Sequence, residues 1–371
     1  MSGHVWYSFG SDKTGPVLAE ALGFDCGKKT PNPDDYEIIV GWGCKPGKKY
    51  NADQWSTRIG AGHLRVLNHP AAVEENRNKL RSLKKMCESG ISVPGFVGLP
   101  TKCNSATGSK AVEEALQRGS IQFPLVAHNS YHKGEPTFCY TMSDVVLALK
   151  SCPDREHPLS YFRTLDHGDE FRIHVLRDKV LFAQRKTLSE NPVAAATDSL
   201  IKKLVKRREQ SGKGELHVPE LVLAREVIEG LASELLRNAS HLKRSTSLGW
   251  EFTRCAPEYL PPDSAVMDLA IGALDALDLD MGAVTISYVD GAGRVLSVTT
   301  APALSHPDMA VYVEAIKEFA GSEETAEKKP GATKRAPKAS SEVVARIHRK
   351  VRELSVEKAQ KVLESLEGLE E

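Results

Sequence analysis

The sequence predicts an α+β protein with more than one domain. Three observations carry this prediction. Short strands alternate with helices over the first 150 residues, two later segments show the two-residue alternation of β-hairpins, and the length of 371 residues exceeds that of a typical single domain. Hydrophobic residues make up 41% of the chain, which is enough for an ordinary core.

The charge balance argues against a general nucleic-acid-binding protein. Lysine plus arginine and aspartate plus glutamate both number 49, although the basic stretch at 202–208 leaves a local patch open. The seven cysteines include no C-x-x-C pair, which indicates reduced thiols in the cytoplasm. No signal peptide is evident, and no apolar run reaches the roughly 18 residues of a membrane span.

Residues 1–68 are predicted to form a small α/β domain. The segments HVWYSFG at 4–10 and YEIIVGWG at 36–43 read as strands, and GPVLAEALG forms a short helix that ends at Gly23. From Pro70 the apolar spacing predicts one longer helix that stops at Gly90. This helix begins the second predicted unit, 69–150.

The rest of the second unit alternates strands with a helix and contains one polar loop. Strands are predicted at 91–100 and 121–129, with a helix over 109–119 between them. The loop HNSYHKGEP at 128–136 offers backbone amides and a lysine that suit an anion, while a solvated loop is the alternative interpretation.

Two hairpins, at 168–186 and 282–299, define the third predicted unit, 151–320. In the first, Phe171, Ile173 and Val175 alternate with Arg172 and His174. Its charged residues form either a solvated face or a clamp for phosphate and carboxylate groups. A helical insert at 187–247 separates the hairpins, and a flexible linker at 321–341 leads to a helical tail at 342–371.

Taken in order, these segments resemble the ATP-grasp superfamily, and within it the RimK-like amide ligases often found in phages. The resemblance runs through 64–96, the segment FPLVAHNSYHKGEP, the hairpin with its Glu-x-Arg-x-His-Val strand, GWEF at 249–252, and 277–304. It implies two α+β subdomains that grip ATP, preceded by the small α/β domain. It also implies a reaction in which ATP phosphorylates a carboxylate and an amine attacks the resulting acylphosphate.

The resemblance also implies which residues form the site. Arg172 and Arg185 match catalytic positions. Cofactor-binding positions are matched by Lys79, His128, His132, Lys133, Gly134, Glu170 and Lys186. His128 stands where the family has a cationic residue, and ATP is the cofactor that these positions imply.

The metal positions depart from the family pattern. Thr285, Ser297 and Thr299 stand where the family has an Asp, a Glu and an Asn that hold magnesium. Magnesium usually needs one or two carboxylates, so the resemblance leaves Mg²⁺ binding open.

Three functions follow from this departure. The favoured prediction is a degenerate ATP-grasp protein, a pseudoenzyme that binds a nucleotide weakly or not at all and acts as a binding partner. The alternative is an active ATP-dependent carboxylate–amine ligase with substitute metal ligands from Asp280, Asp290 or Glu170. A third is a nucleic-acid-associated protein that uses 202–208 and 328–338.

The partner prediction rests on the tail. Two short apolar stripes over 342–371 are too small to be stable alone, so we expect them to dock onto a second copy or an ATP-grasp paralogue. No membrane partner is expected, and the location would be the host cytoplasm if a phage encodes the protein.

Overall fold

In the computed structural model of the protein, the described residues form three β-sheets, here called the N-terminal, middle and C-terminal sheets. The structure describes residues 2–8, 13–100, 104–129, 137–151, 159–166, 168–210, 225, 227–230, 249–256, 259–261 and 265–321. The loop residues 130–136, most of the predicted insert, the linker beyond Gly321 and the tail lie outside this set. The predicted domain limits therefore stay predictions.

The N-terminal sheet is fully parallel and confirms the small α/β layer. Its strand order is β2-β1-β3-β4. Helix α1 ends at Gly23, whose φ of 73° suits a residue without a side chain. The elements of this layer are β1 (Gly3–Tyr7), α1 (Thr14–Leu22), β2 (Asp25–Gly27), β3 (Ile38–Trp42), α2 (Ala52–Gly60) and β4 (Arg65–Leu67).

The single helix predicted from Pro70 to Gly90 is wrong, because the chain forms two helices there, α3 (Pro70–Arg77) and α4 (Lys79–Glu88). Asn78 separates them in an extended conformation, and its side chain accepts a hydrogen bond of 3.1 Å from the backbone N–H of Arg81. An asparagine at this position caps a new helix more readily than it continues an old one. The break puts Lys79 in the first turn of α4.

The middle sheet is antiparallel, with the order β5-β8-β6-β7. Val112 of α5 and Val145 of α6 pack with Leu125 and Phe162 of the sheet in one apolar cluster. The elements are β5 (Phe96–Gly98), α5 (Ser105–Gln117), β6 (Leu125–Asn129), β7 (Thr137–Cys139), α6 (Met142–Ser151) and β8 (Leu159–Thr164).

The C-terminal sheet unites the two predicted hairpins, in the order β11-β10-β9-β12-β13. β9 pairs with β12, which confirms that 170–186 and 282–299 belong to one sheet. Its elements are β9 (Asp169–Leu176), β10 (Lys179–Leu188), α7 (Pro192–Gln210), β11 (Trp250–Arg254), α8 (Ala265–Ala276), β12 (Met281–Val289), β13 (Ala292–Thr299) and α9 (His306–Gly321).

The two faces of the C-terminal sheet differ. Phe171, Ile173, Val284 and Ile286 are buried on one face in a cluster that includes Val266 of α8. The opposite face is polar, and α9 covers one end of it. None of the described helices is long and apolar enough to cross a membrane.

Asn68 joins the N-terminal sheet to the C-terminal sheet. Its fully buried side chain accepts hydrogen bonds from the backbone N–H groups of Asp280 and Met281, both at 2.9 Å, and donates to the carbonyl of Met281 at 2.9 Å. Its own backbone N–H donates to the Asp280 carboxylate at 2.8 Å. Asn68 also has a φ of 61°, a conformation that asparagine tolerates better than most residues.

We predict that Asn68→Ala lowers the free energy of unfolding by about 2–4 kcal/mol. It removes the buried hydrogen bonds of the asparagine side chain and leaves alanine at a positive φ, where no side-chain hydrogen bond offsets the strain. Asn68→Gly loses the same bonds but relieves the backbone strain, so its loss should be smaller by about 1 kcal/mol. Urea unfolding measures both values. Equal free energies of unfolding for wild type and both variants would contradict a stabilising role for the Asn68 hydrogen bonds.

Candidate functional site

Strand register builds the polar face of the C-terminal sheet row by row. Thr285 lies opposite both Arg172 and Ser297, and Gln184 lies on the other side of Arg172. Directly opposed residues in antiparallel strands point to the same side, so these side chains form one row. The neighbouring rows follow the same alternation. The polar face comprises Glu170, Arg172, Gln184, Lys186, Phe252, Thr285, Ser287, Arg294, Ser297 and Thr299.

Among the described residues of the polar face, Arg172 is the cation that forms no ion pair. Its guanidinium lies 3.8 Å from the centre of the Phe252 ring, and its Nε is buried without a hydrogen-bond partner. No carboxylate in the described ranges forms an ion pair with it. Burial lowers the pKa of Arg172, and the nearby Glu170 and Tyr312 raise it. Because a guanidinium stays protonated in proteins, Arg172 presents a desolvated positive charge.

The carboxylates on and beside the polar face are bound to cations. Lys186 Nζ lies 2.8 Å from Glu170, and both side chains are largely buried. Arg294 lies 2.7 Å from Asp166, whose side chain is only 3% exposed. These ion pairs compensate the negative charge that would otherwise be available to a metal ion.

The substitute metal ligands proposed from the sequence are placed unfavourably. The Asp280 carboxylate accepts the backbone N–H of Asn68, as described above. Asp290 is exposed in the β12–β13 turn, five residues from Thr285, or about 16 Å along an extended strand. Glu170 is the third candidate, and Lys186 already binds it.

The donor set at Thr285, Ser297 and Thr299, the metal positions that the sequence resemblance implies, does not fit magnesium. Thr285 is buried, and Ser297 and Thr299 are partly buried on neighbouring rows of the same face. Three hydroxyl groups carry no formal charge, whereas magnesium is usually held by at least one carboxylate. Across the described ranges, no group of three or more His, Cys, Asp and Glu residues is arranged to hold a metal ion.

Lys79 reaches the edge strand beside these hydroxyl positions. Its ammonium donates a hydrogen bond to the carbonyl of Val298, which lies between Ser297 and Thr299, and Asn76 donates to the same carbonyl at 3.2 Å. Burial, with a smaller contribution from Arg77, lowers the pKa of Lys79 to about 8. The structure therefore places Lys79 at the margin of the polar face.

Other predicted site residues are separated from this group. Arg185 lies on the opposite face of the sheet from Arg172, because it pairs with the buried Phe171, and it binds Asp169 at 2.9 Å. His128 lies on β6 of the middle sheet. His132, Lys133 and Gly134 lie outside the described residues. The functional roles of all these residues stay predictions.

The structure adds two residues that the sequence analysis missed. Phe252 supplies the ring under Arg172 and also lies 5.4 Å from Lys186 Nζ. Arg163, on β8, donates a hydrogen bond from Nε to His128 Nε2 at 3.3 Å. A charged residue inside the otherwise apolar segment YFRTL was the available indication for Arg163.

Helix α9 closes one end of the polar face over His174. The imidazole is fully buried and hydrogen-bonds to Tyr312 at 3.0 Å and to Gln184 at 3.3 Å. Asp308 of the same helix accepts a hydrogen bond from Gln184 at 3.3 Å and lies 3.5 Å from Arg254. This end of the face is therefore part of the core.

Burial lowers the pKa of His174 to about 4, with Arg172 and Arg254 acting in the same direction and Gln184 and Asp308 opposing it. Below pH 6.5 the imidazole of His174 is protonated in the unfolded chain but stays neutral in the folded protein. The free energy of unfolding therefore falls as the pH drops from about 6.5 towards 4. The slope from this one group is at most about 1.4 kcal/mol per pH unit.

We predict that His174→Gln removes this component. The difference in unfolding free energy between wild type and variant should therefore change between pH 6.5 and 4. Denaturant unfolding of wild type and variant at several pH values measures this difference. A constant difference for His174→Gln would contradict the assignment of a neutral buried imidazole.

Comparison with known proteins identifies the fold. The ATP-grasp ligase PsnB, solved with a minimal precursor, is 13% identical, with 86% of this chain and 99% of that chain covered and a TM-score of 0.50. D-alanine–D-alanine ligase from Bacillus anthracis is 14% identical, with 85% and 92% covered and a TM-score of 0.51. The same ligase complexed with ATP gives 13% identity, 85% and 91% coverage, and a TM-score of 0.50.

These likenesses show that the chain has the ATP-grasp fold, as its order of motifs predicts. No family model and no curated protein matches the sequence.

Proposed function

We propose that the protein is a degenerate ATP-grasp protein, which binds a phosphate-bearing nucleotide without magnesium and does not catalyse ligation at an enzymatic rate. The row Ser297–Thr285–Arg172 carries this proposal, because hydroxyl groups adjoin a desolvated arginine where the family pattern has metal-binding residues. The complex of the Bacillus anthracis ligase with ATP supports a nucleotide as the ligand class.

Loss of the metal ligands matters because phosphoryl transfer depends on electrostatic stabilisation. Cations neutralise the charge that develops on the phosphoryl oxygens, and removing such a stabiliser costs several kcal/mol. Each 1.4 kcal/mol is about a tenfold loss in rate. Arg172 and Lys79 supply positive charge for binding but do not coordinate phosphoryl oxygens as a divalent ion does.

The active-ligase alternative requires a metal held by Asp280, Asp290 or Glu170. Asn68 and Lys186 bind the carboxylates of Asp280 and Glu170, and Asp290 is exposed in the β12–β13 turn, which disfavours this alternative. Assignment to the RimK-like branch, a phage origin and a cytoplasmic location remain proposals from the sequence. Docking through 342–371 and nucleic-acid binding through 328–338 concern residues outside the described set.

We predict no ATP hydrolysis or ligation above background with Mg²⁺ and amino-acid or peptide acceptors. Coupled measurement of ADP release tests this directly. A turnover above about 1 s⁻¹, which is ordinary for enzymes, would refute the proposed function.

Restoring the family residues should restore metal dependence. We predict that the triple variant Thr285→Asp, Ser297→Glu and Thr299→Asn binds ADP at least about tenfold more tightly with Mg²⁺ than without it, because two carboxylates now hold the ion. Thr187→Asp adds a carboxylate on the other face of the same sheet and should create no such dependence. A correctly folded triple variant without Mg²⁺ dependence would contradict the assignment of these positions.

A further inference from the structure

The middle sheet contributes a second arginine without a carboxylate partner. Arg163 makes no ion pair with any carboxylate that the structure describes. It donates hydrogen bonds to His128 and, at 3.3 Å, to the carbonyl of Thr164. Burial lowers the pKa of Arg163, while Tyr161, Asp166 and Glu170 raise it. As with Arg172, the guanidinium keeps its charge in a desolvated environment.

The contact with Arg163 determines the charge of His128. A guanidinium N–H can only donate, so His128 Nε2 must accept the hydrogen bond. A doubly protonated imidazole has no acceptor, and the ring is therefore neutral with its proton on Nδ1. His128 also stacks on Tyr161, with ring centres 5.2 Å apart. The cation expected at His128 is thus absent in this arrangement, and Arg163 carries the charge beside it.

The end of β8 meets the polar face of the C-terminal sheet. Asp166, three residues after Arg163, lies 2.7 Å from Arg294 of the polar face. Glu170 raises the pKa of both Arg163 and Arg172. Lys186 binds Glu170 at 2.8 Å. Four cations against the two carboxylates of Glu170 and Asp166 leave a local charge of about +2, which an anion can compensate; the cations are Arg163, Arg172, Lys186 and Arg294.

An unused hydrogen-bond donor lies in the same row as Glu170. Ser287 is opposite Glu170 in the register, is fully buried, and its Oγ has no hydrogen-bond partner. Buried hydroxyl groups are normally paired, so an unpaired one beside uncompensated cations suits a ligand oxygen. This observation is independent of the charge count.

We propose that Arg163 and Arg172, one from each sheet, form a metal-free clamp for phosphate groups, with Arg163 rather than His128 as the cation of the middle sheet. The clamp rests on the proposed function for the location of the ligand but not on the absence of turnover. Its ligand class is a phosphate-bearing anion with about two negative charges, either a nucleotide or free pyrophosphate. Two arginines suit this class because guanidinium groups bind phosphate oxygens in pairs.

The test is calorimetric titration in EDTA with ADP, pyrophosphate and adenosine as separate probes. Arg163→Met should weaken binding of ADP about 10- to 100-fold, the range expected for loss of one charge-assisted contact. Arg163→Lys should retain part of the affinity. His128→Gln should change it less than about threefold, since the neutral ring contributes no charge. Arg81→Met, at an exposed position of α4, is the matched control and should bind as wild type does.

The three probes distinguish a nucleotide from free pyrophosphate as the ligand, and they show which results would contradict the clamp. Equal weakening for ADP and pyrophosphate supports recognition of phosphate alone, and weakening for ADP only supports a nucleotide. Unchanged ADP affinity in Arg163→Met, an equal loss for adenosine, or no binding of any phosphate probe to wild type in EDTA would overturn the clamp. Thermal unfolding confirms that the variants are folded. ATP turnover by wild type would instead contradict the proposed function. The titration would still decide whether Arg163 binds phosphate.

Discussion

The antiparallel register of β9 against β12 is the constraint on which the candidate site depends. It puts Thr285 opposite Arg172 and Ser287 opposite Glu170, so hydroxyl groups and charged groups share one face. A slip of one residue would move every side chain to the other face, and burial of the apolar set on the opposite side resists it. That set includes Phe171, Ile173, Val284 and Ile286.

Charge compensation then decides what the face can bind. The carboxylates of Glu170 and Asp166 are engaged by Lys186 and Arg294, whereas Arg172 and Arg163 have no carboxylate partner among the described residues. A divalent cation would enter a surface that is already positive, which Coulomb repulsion disfavours. An anion gains from the same surface, and desolvation strengthens that gain because the local dielectric is low. The proposed function thus combines the ATP-grasp fold with a polar face that suits anions.

The sequence predicted the fold from the order of its motifs. It also predicted which residues of 171–175 share a face, because two-residue alternation is a local property of a strand. The prediction of one helix across Asn78 was wrong. The apolar spacing continues through Asn78, but the side chain of this residue caps a new helix. The separation of Arg185 from Arg172 could not be predicted from alternation, because a register shift between Val180 and Phe182 moves the later residues of β10 to the other face. The contact between Arg163 and His128 could not be predicted, because it depends on the pairing of β8 with β6, which are distant in the chain.

The most direct test of the account compares the affinity of a non-hydrolysable ATP analogue with and without magnesium. Calorimetric titration of the full-length wild-type chain in excess Mg²⁺ and in excess EDTA gives the two dissociation constants. The account predicts values that agree within about threefold, because protein cations alone compensate the phosphates. Binding that is tenfold or more tighter with Mg²⁺ would contradict it and show that the chain holds the ion despite Thr285, Ser297 and Thr299.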